Sequence, residues 1–172
     1  YSIENEELKK LLISIFSDEK ITDKFKICPA SVYRHGAYIG GLLEHCLEIV
    51  KICETYCSVY PSLNRELLIS GILIHDIGKI KLFELGDGIS YSKEGELIGH
   101  IMLGWEIISS KFNNIEGSVD SKTKLKHMLL SSPGKIEYGA VKKPAFPEAL
   151  ILAMVKESCA KTNQLNKLMK NI

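Results

Sequence analysis

The sequence predicts an all-α fold, and three observations support this prediction. Apolar residues recur at the spacing of helix turns along most of the 172-residue chain. No stretch shows the polar-apolar alternation of half-buried strands, and there is no internal repeat or low-complexity segment. With 45% hydrophobic and 25% charged residues, the composition is that of one globular domain with a sizeable core. We therefore expect one helical domain that folds without a partner chain.

Capping residues, helix breakers and apolar spacing predict where each helix begins and ends. We predict six helices, at about residues 5–16, 37–56, 65–77, 97–111, 121–130 and 147–168. A polar connector and a short segment through Cys28 and Pro29 follow the first helix. The third helix is expected to stop at Gly78, a residue suited to the left-handed position after a helix. The turn signal GDG at 86–88 leaves room for one small β-hairpin that reaches Tyr91.

The charge balance and the cysteines argue against several classes of protein. A formal net charge of +1 disfavours a chain that coats nucleic acid nonspecifically, although it allows a local basic patch. The five cysteines include no CxxC pair, the N-terminus is not signal-like, and no apolar run has membrane-spanning length. We expect a cytoplasmic protein with no membrane partner. The start at Tyr1 rather than Met leaves open that the chain is part of a longer polypeptide.

The stretch ILIHDIGKI at 72–80 sets a histidine and an aspartate inside an otherwise apolar run. Leaving either group buried and unpaired costs on the order of several kcal/mol, so each needs a partner. On a helix His75 and Asp76 lie about 100° apart, close enough to reach one ion. A divalent cation would neutralise Asp76 and accept the lone pair of His75. The alternative for any single histidine is a core residue hydrogen-bonded to a carbonyl group.

The remaining histidines strengthen the hypothesis of a metal site. The chain has five of them, His35, His45, His75, His100 and His127. The predicted helices place the last four on four different helices, and a helical bundle can bring such residues together in its interior.

Successive blocks of the chain resemble the HD superfamily of metal-dependent phosphohydrolases. His45 followed by His75-Asp76 matches the family signature of H, then HD, then a distant D. The match continues in the blocks RHGAYIGGLLEH, NRELLISGILIHDIGKI, YSKEGELIGHI, LKHMLLSSPGKIEYG and FPEALILA. These blocks are most similar to the HD domain of YhaM-type 3′-to-5′ exoribonucleases. The resemblance implies an HD-domain helical bundle over residues 1–172, with its core at about 27–168, and an OB-type domain upstream of this chain.

The resemblance also implies a centre that binds divalent metal, with manganese, iron, zinc or magnesium as candidates. By position, the implied metal ligands are His45, His75, Asp76, His100 and His127. The first three would hold one ion, with Asp76 bridging to a second. Lys79 matches a lysine expected to face substrate phosphate, so Asp76 and Lys79 are the expected catalytic residues. The alternative for Lys79 is an ordinary cation at a helix C-terminus.

Four positions depart from the family pattern. Ser132 and Pro133 stand where members carry paired histidines, and Lys156 and Cys159 stand where the last helix carries aspartates. Because lost ligands weaken affinity for a hard cation, we expect a weakened site with one ion or none. Lys156 either replaces the metal with its own ammonium group beside Asp76 or is an exposed helical lysine. Cys159 either offers a thiolate to an altered site or packs as a small buried hydrophobe.

Residues 120–143 form the most basic stretch of the chain. It contains Lys122, Lys124, Lys126, Lys135, Lys142 and Lys143. Such lysines can hold the phosphates of a nucleotide or of single-stranded nucleic acid, and we expect Lys79, Lys126 and Lys135 to bind substrate. The alternative is a solvated face, because lysines at alternate positions spread around a helix.

Two functions follow from these observations. The first is a metal-dependent phosphohydrolase that acts on a phosphodiester of a nucleotide or single-stranded nucleic acid through a weakened metal site. The second is a catalytically degenerate HD domain that binds nucleotides, nucleic acid or a protein partner. Retention of all five ligands favours the first function, whereas a buried polar network that stabilises the fold would explain the same residues without metal. Homo-oligomerisation stays open in either case.

Overall fold

The structure is a computed structural model that describes residues 2–33 and 36–169, so His35 lies outside the described residues. The described part contains nine α-helices: α1 Glu6–Phe16, α2 Glu19–Ile27, α3 Gly41–Val59, α4 Arg65–Ile74, α5 Lys79–Leu82, α6 Lys93–Ile98, α7 His100–Phe112, α8 Val119–Ser131 and α9 Pro147–Met169. Strands β1 Phe83–Leu85 and β2 Ile89–Tyr91 form one antiparallel hairpin, with Phe83 opposite Tyr91. The all-α fold and the small hairpin are thereby confirmed. Within these ranges, no helix combines the length and the apolar character that crossing a bilayer requires.

Helix α4 is the centre of the bundle. Its sequence RELLISGILI is apolar on almost every side, which is the pattern of a buried helix. Helices α3, α8 and α9 pack around it. The side chain of Asn64 caps its N-terminus by accepting a hydrogen bond of 3.0 Å from the backbone N–H of Leu67. Because these helices surround α4, the residues that follow it begin deep inside the protein.

Two parts of the helix prediction were wrong. The expected connector after the first helix forms α2, which Asp18 caps and which buries Phe25. The helix expected at about 97–111 is two helices, α6 and α7, separated at Gly99. Gly99 has φ of +80°, a conformation that residues with a side chain rarely adopt. This break makes His100 the first residue of α7.

The HD pair lies on a turn rather than within a helix. Helix α4 ends at Ile74, earlier than predicted, and the HD turn, residues 75–78, leads directly into α5. Gly78 has φ of −63° and ψ of −15°, so the predicted left-handed conformation was wrong. The chain continues into the short helix α5 instead of leaving the bundle.

Gly78 is needed for close packing rather than for its backbone angles. A Cβ atom at this position would overlap the carbonyl oxygen of His100 and lie 2.5 Å from the backbone nitrogen of Gly104. The HD turn and the start of α7 therefore meet backbone to backbone, which brings His100 beside the HD pair.

We expect Gly78→Ala to lower the free energy of unfolding by about 2–3 kcal/mol, because the added methyl group must push two backbone segments apart. Urea denaturation followed by circular dichroism measures this change. Gly86→Ala is the matched control, since a Cβ there meets nothing within 4 Å, and its effect should stay within about 0.5 kcal/mol. Equal stability of the two variants would contradict the close packing of the HD turn on α7.

Candidate functional site

A cavity of about 440 Å³ opens beside the HD turn. Four elements supply polar side chains to its wall: His45 from α3, Lys79 from α5, His100 from α7 and Lys156 from α9. These groups surround Asp76, whose side chain is fully buried. The bundle therefore gathers residues that are distant in sequence at one partly open site.

The orientation of His75 is set by the last turn of α4. Its Nδ1 donates a hydrogen bond of 2.7 Å to the carbonyl oxygen of Ile72, which can only accept. Because a neutral imidazole carries one proton, this bond leaves Nε2 with a free lone pair. Nε2 is buried, lies 3.3 Å from Oδ2 of Asp76, and has no hydrogen-bond partner among the described residues. Such an atom can serve as a metal ligand.

His45 and His100 complete a group of donors around the HD pair. Ligand atoms of His45, His75 and Asp76 all lie within 4.8 Å of one another. Nε2 of His100 lies 3.7 Å from Oδ1 of Asp76. Burial lowers the pKa of His45 to about 3 and that of His100 to about 4, so both imidazoles are neutral at pH 7 and can offer lone pairs. This donor set fits one divalent cation of the manganese, iron or zinc type.

Two ammonium groups contact the same carboxylate. Nζ of Lys79 lies 2.6 Å from Oδ2 of Asp76, and Nζ of Lys156 lies 2.8 Å from Oδ1. Burial by itself raises the pKa of Asp76, but the positive charges beside it, Lys156 and Lys79 among them, hold that pKa well below its usual value of 3.8. Burial lowers the pKa of Lys156, and the adjacent carboxylate opposes this effect. Protein groups therefore already neutralise the ionised Asp76.

The four substituted positions separate into two groups. Ser132 and Pro133 line the cavity, and the buried Oγ of Ser132 has no hydrogen-bond partner among the described residues. Lys156 also faces the cavity, with 18% of its side chain exposed. Cys159 instead packs in the hydrophobic core, where burial raises the pKa of its thiol to about 11. The thiol is therefore protonated at pH 7 and does not line the cavity.

His127 is not among the cavity-lining residues. Its Nε2 accepts a hydrogen bond of 3.1 Å from the backbone N–H of Ala145, and its ring packs against Phe146 at a centroid distance of 5.2 Å. Its assignment as a metal ligand stays a prediction that these contacts do not support.

The lysines of α8 point in different directions, as their spacing indicates. The ammonium group of Lys124 lies 2.6 Å from Asp120, and that of Lys126 lies 4.9 Å from the ring centroid of Trp105. Lys122 instead donates to a backbone carbonyl. These three lysines therefore do not form one continuous basic face.

Lys135 lies next to the cavity. Its ammonium group is 3.9 Å from Glu157 and 5.2 Å from the ring centroid of Tyr138, and both of these residues line the cavity wall. Lys135 is exposed, so it is available to a ligand that extends out of the cavity.

One face of α9 contributes more to the cavity than the sequence reasoning identified. The lining residues from this helix are Ala153, Lys156, Glu157, Ala160, Lys161 and Gln164. Their spacing is that of successive helix turns, so counting in steps of three and four from Lys156 would have found them. Among these residues, only Lys156 contacts Asp76.

Comparison with known proteins gives consistent matches. The family model for the HD domain matches residues 42–155. The 3′-5′ exoribonuclease YhaM of Listeria monocytogenes is 32% identical over 173 aligned positions, which cover 99% of this chain and 54% of that protein. The Bacillus subtilis protein of the same name is 31% identical over 160 positions, covering 93% of this chain and 51% of that protein. No solved structure matches the chain.

The chain spans about half the length of the curated relatives that it matches. The region matched by the family model includes the HD turn, α4, α8 and all but the first residue of α3, and it ends one residue before Lys156. The resemblance found in the sequence is confirmed, and the chain belongs to the HD-domain family.

Proposed function

We propose that this chain is a metal-dependent phosphohydrolase domain with a weak metal site, acting on a phosphodiester of single-stranded nucleic acid or a nucleotide. The observation that carries the proposal is the oriented imidazole of His75, whose Nε2 lone pair is buried without a partner beside Asp76. The names of its relatives as 3′-5′ exoribonucleases support the class of substrate.

His45, His75 and Asp76 would hold the ion, and His100 on the cavity wall is the nearest further donor. A bound divalent cation supplies Lewis acidity, which polarises a phosphoryl oxygen and acidifies water. Neutral imidazoles favour manganese, iron or zinc over magnesium, which prefers oxygen ligands. The site is weak because two ammonium groups already contact its single carboxylate.

Lys79 is the residue that we assign to substrate phosphate. Its side chain is 13% exposed and lines the cavity while its ammonium group contacts Asp76. From this position the ammonium group can offset the negative charge of a phosphoryl group that enters the cavity. Asp76 thus has two roles, since it orients Lys79 and supplies the anionic ligand.

A second function is favoured by the contact between Lys156 and Asp76. An ammonium group that neutralises the carboxylate leaves a cationic cavity, and such a cavity attracts phosphates without any ion. The chain would then be a degenerate HD domain that binds a nucleotide or single-stranded nucleic acid without turnover.

We expect the chain to hydrolyse bis(p-nitrophenyl) phosphate and a short single-stranded RNA when manganese is supplied at millimolar concentration. Asp76→Ala should lower the rate by roughly 100-fold or more, because it removes both the anionic ligand and the anchor of Lys79. Initial rates with manganese, iron, zinc and magnesium, and with a chelator, provide the measurement.

Asp23→Asn is the matched control, because Asp23 is exposed and, within residues 2–33 and 36–169, forms an ion pair only with Lys26, at 3.4 Å on the surface of α2. It removes the same charge as a substitution of Asp76 without altering the cavity. Absence of turnover with every metal, together with RNA binding that survives Asp76→Ala, would establish the second function instead of the first.

We expect Lys126→Gln and Lys135→Gln to weaken binding of single-stranded RNA. Each lost phosphate contact should reduce the dependence of log affinity on log salt concentration by about 0.7. Fluorescence anisotropy of a labelled oligonucleotide over a series of salt concentrations measures this slope. Lys9→Gln, which removes an exposed lysine paired with Glu6, should leave the slope unchanged. An unchanged slope for Lys126→Gln or Lys135→Gln would show that the substituted lysine does not contact the nucleic acid.

A further inference from the structure

We infer that Lys156 is a built-in cation of the HD site, which neutralises Asp76 and competes with a divalent ion for it. This inference rests on the proposed function, because it concerns the same metal site. It assigns to one residue of this chain a role that the HD pair alone does not reveal.

Asp76 already has an ammonium group at each of its two oxygens. Nζ of Lys156 donates a hydrogen bond of 2.8 Å to Oδ1 of Asp76, while Nζ of Lys79 lies 2.6 Å from Oδ2. Both oxygens of the carboxylate are therefore engaged by positive charge. An ion that binds Asp76 must displace at least one ammonium group or share an oxygen with it, and like charges at such distances repel.

The two lysine contacts with Asp76 arise in different ways. Lys79 is three residues from Asp76, so its contact follows from the local path of the HD turn. Lys156 is 80 residues away and reaches Asp76 only because α9 packs against α4. The contact therefore joins two elements of the bundle at the position where a metal ion would otherwise bind both of them.

The charge at position 156 is opposite in sign to the one that the resemblance implies. The resemblance to HD domains implies an aspartate there, which would add a negative group beside His45, His75 and Asp76. Lysine instead adds a positive group to the same cluster, with its ammonium directed at the carboxylate and only 18% of its side chain exposed. The substitution therefore removes a ligand and supplies the neutralising charge in a single step.

The test is metal binding by the wild-type chain, Lys156→Met and Lys156→Asp, measured by calorimetric titration with manganese and with zinc and by metal content after dialysis. Lys156→Met removes the competing charge, and we expect it to bind metal about 10-fold more tightly than the wild type. Lys156→Asp also adds a ligand, and we expect a gain of roughly 100-fold.

Lys161→Asp is the matched control. Lys161 lies on the same face of α9 and lines the same cavity, but its ammonium group pairs with Glu157 at 2.6 Å rather than with Asp76. The control makes the same change of charge in the cavity without freeing the carboxylate. We expect its metal affinity to stay within about threefold of the wild type.

Thermal unfolding provides a readout that does not depend on activity. In chelator we expect Lys156→Met to unfold at a lower temperature than the wild type, because Asp76 loses a charge partner. Added metal should raise the unfolding temperature of the Lys156 variants by more than it raises that of the wild type. If Lys156→Asp does not fold in chelator, the comparison of Lys156→Met with the wild type still decides the outcome.

Two results would overturn the inference, and they have different consequences for the proposed metal site. Equal metal affinity in the wild type and both Lys156 variants would show that Lys156 does not compete, while leaving the proposed metal site intact. Absence of metal binding in all three folded proteins would overturn the competition and the proposed metal site together.

Discussion

An ionised carboxylate enclosed in the bundle is the constraint on which this structure depends. Asp76 is 1% exposed and stays charged because neighbouring groups hold its pKa well below the usual value. Burying such a charge is stable only when partners surround it. The charged partners come from α5 and α9, so the packing of these two helices is coupled to one side chain.

Glycine packing determines how closely these partners approach. The contact of Gly78 with the backbone of His100 and Gly104 fixes the distance between the HD turn and α7. The break at Gly99 then starts α7 at His100, which places the imidazole at the cavity wall. The positions of the HD turn and of His100 thus follow from backbone contacts that only glycine allows, because glycine has no side chain.

Much of the fold and part of the candidate site could be predicted from the sequence. The apolar run of α4 and the turn at residues 86–88 predicted a helix and a hairpin, since both signals are local. Helix α2 was missed because only one of its nine residues, Phe25, is buried, so its apolar spacing is weak. The order of family blocks indicated that His45, His75 and Asp76 belong together, and their ligand atoms do lie close to one another.

The sequence left two directions open for Lys156, toward Asp76 or toward solvent, and it could not decide between them for a physical reason. Helical spacing assigns a residue to one face of α9, but it does not say which distant group that face meets. The contact with Asp76 depends on how α9 packs across 80 residues of intervening chain. For the same reason the sequence did not reveal that His127 uses its Nε2 on the backbone of Ala145.

In many metalloproteins, folding and metal binding occur together. The ion pair between α9 and the HD turn allows these two events to be separate. Where a metal supplies the only charge that can balance buried ligands, the polypeptide completes its packing when the ion arrives. Here the polypeptide carries its own balancing charge, so we expect the bundle to assemble without an ion. Metal loading at the proposed site would then be a later exchange of one cation for another, and its extent would follow the local concentration of the ion.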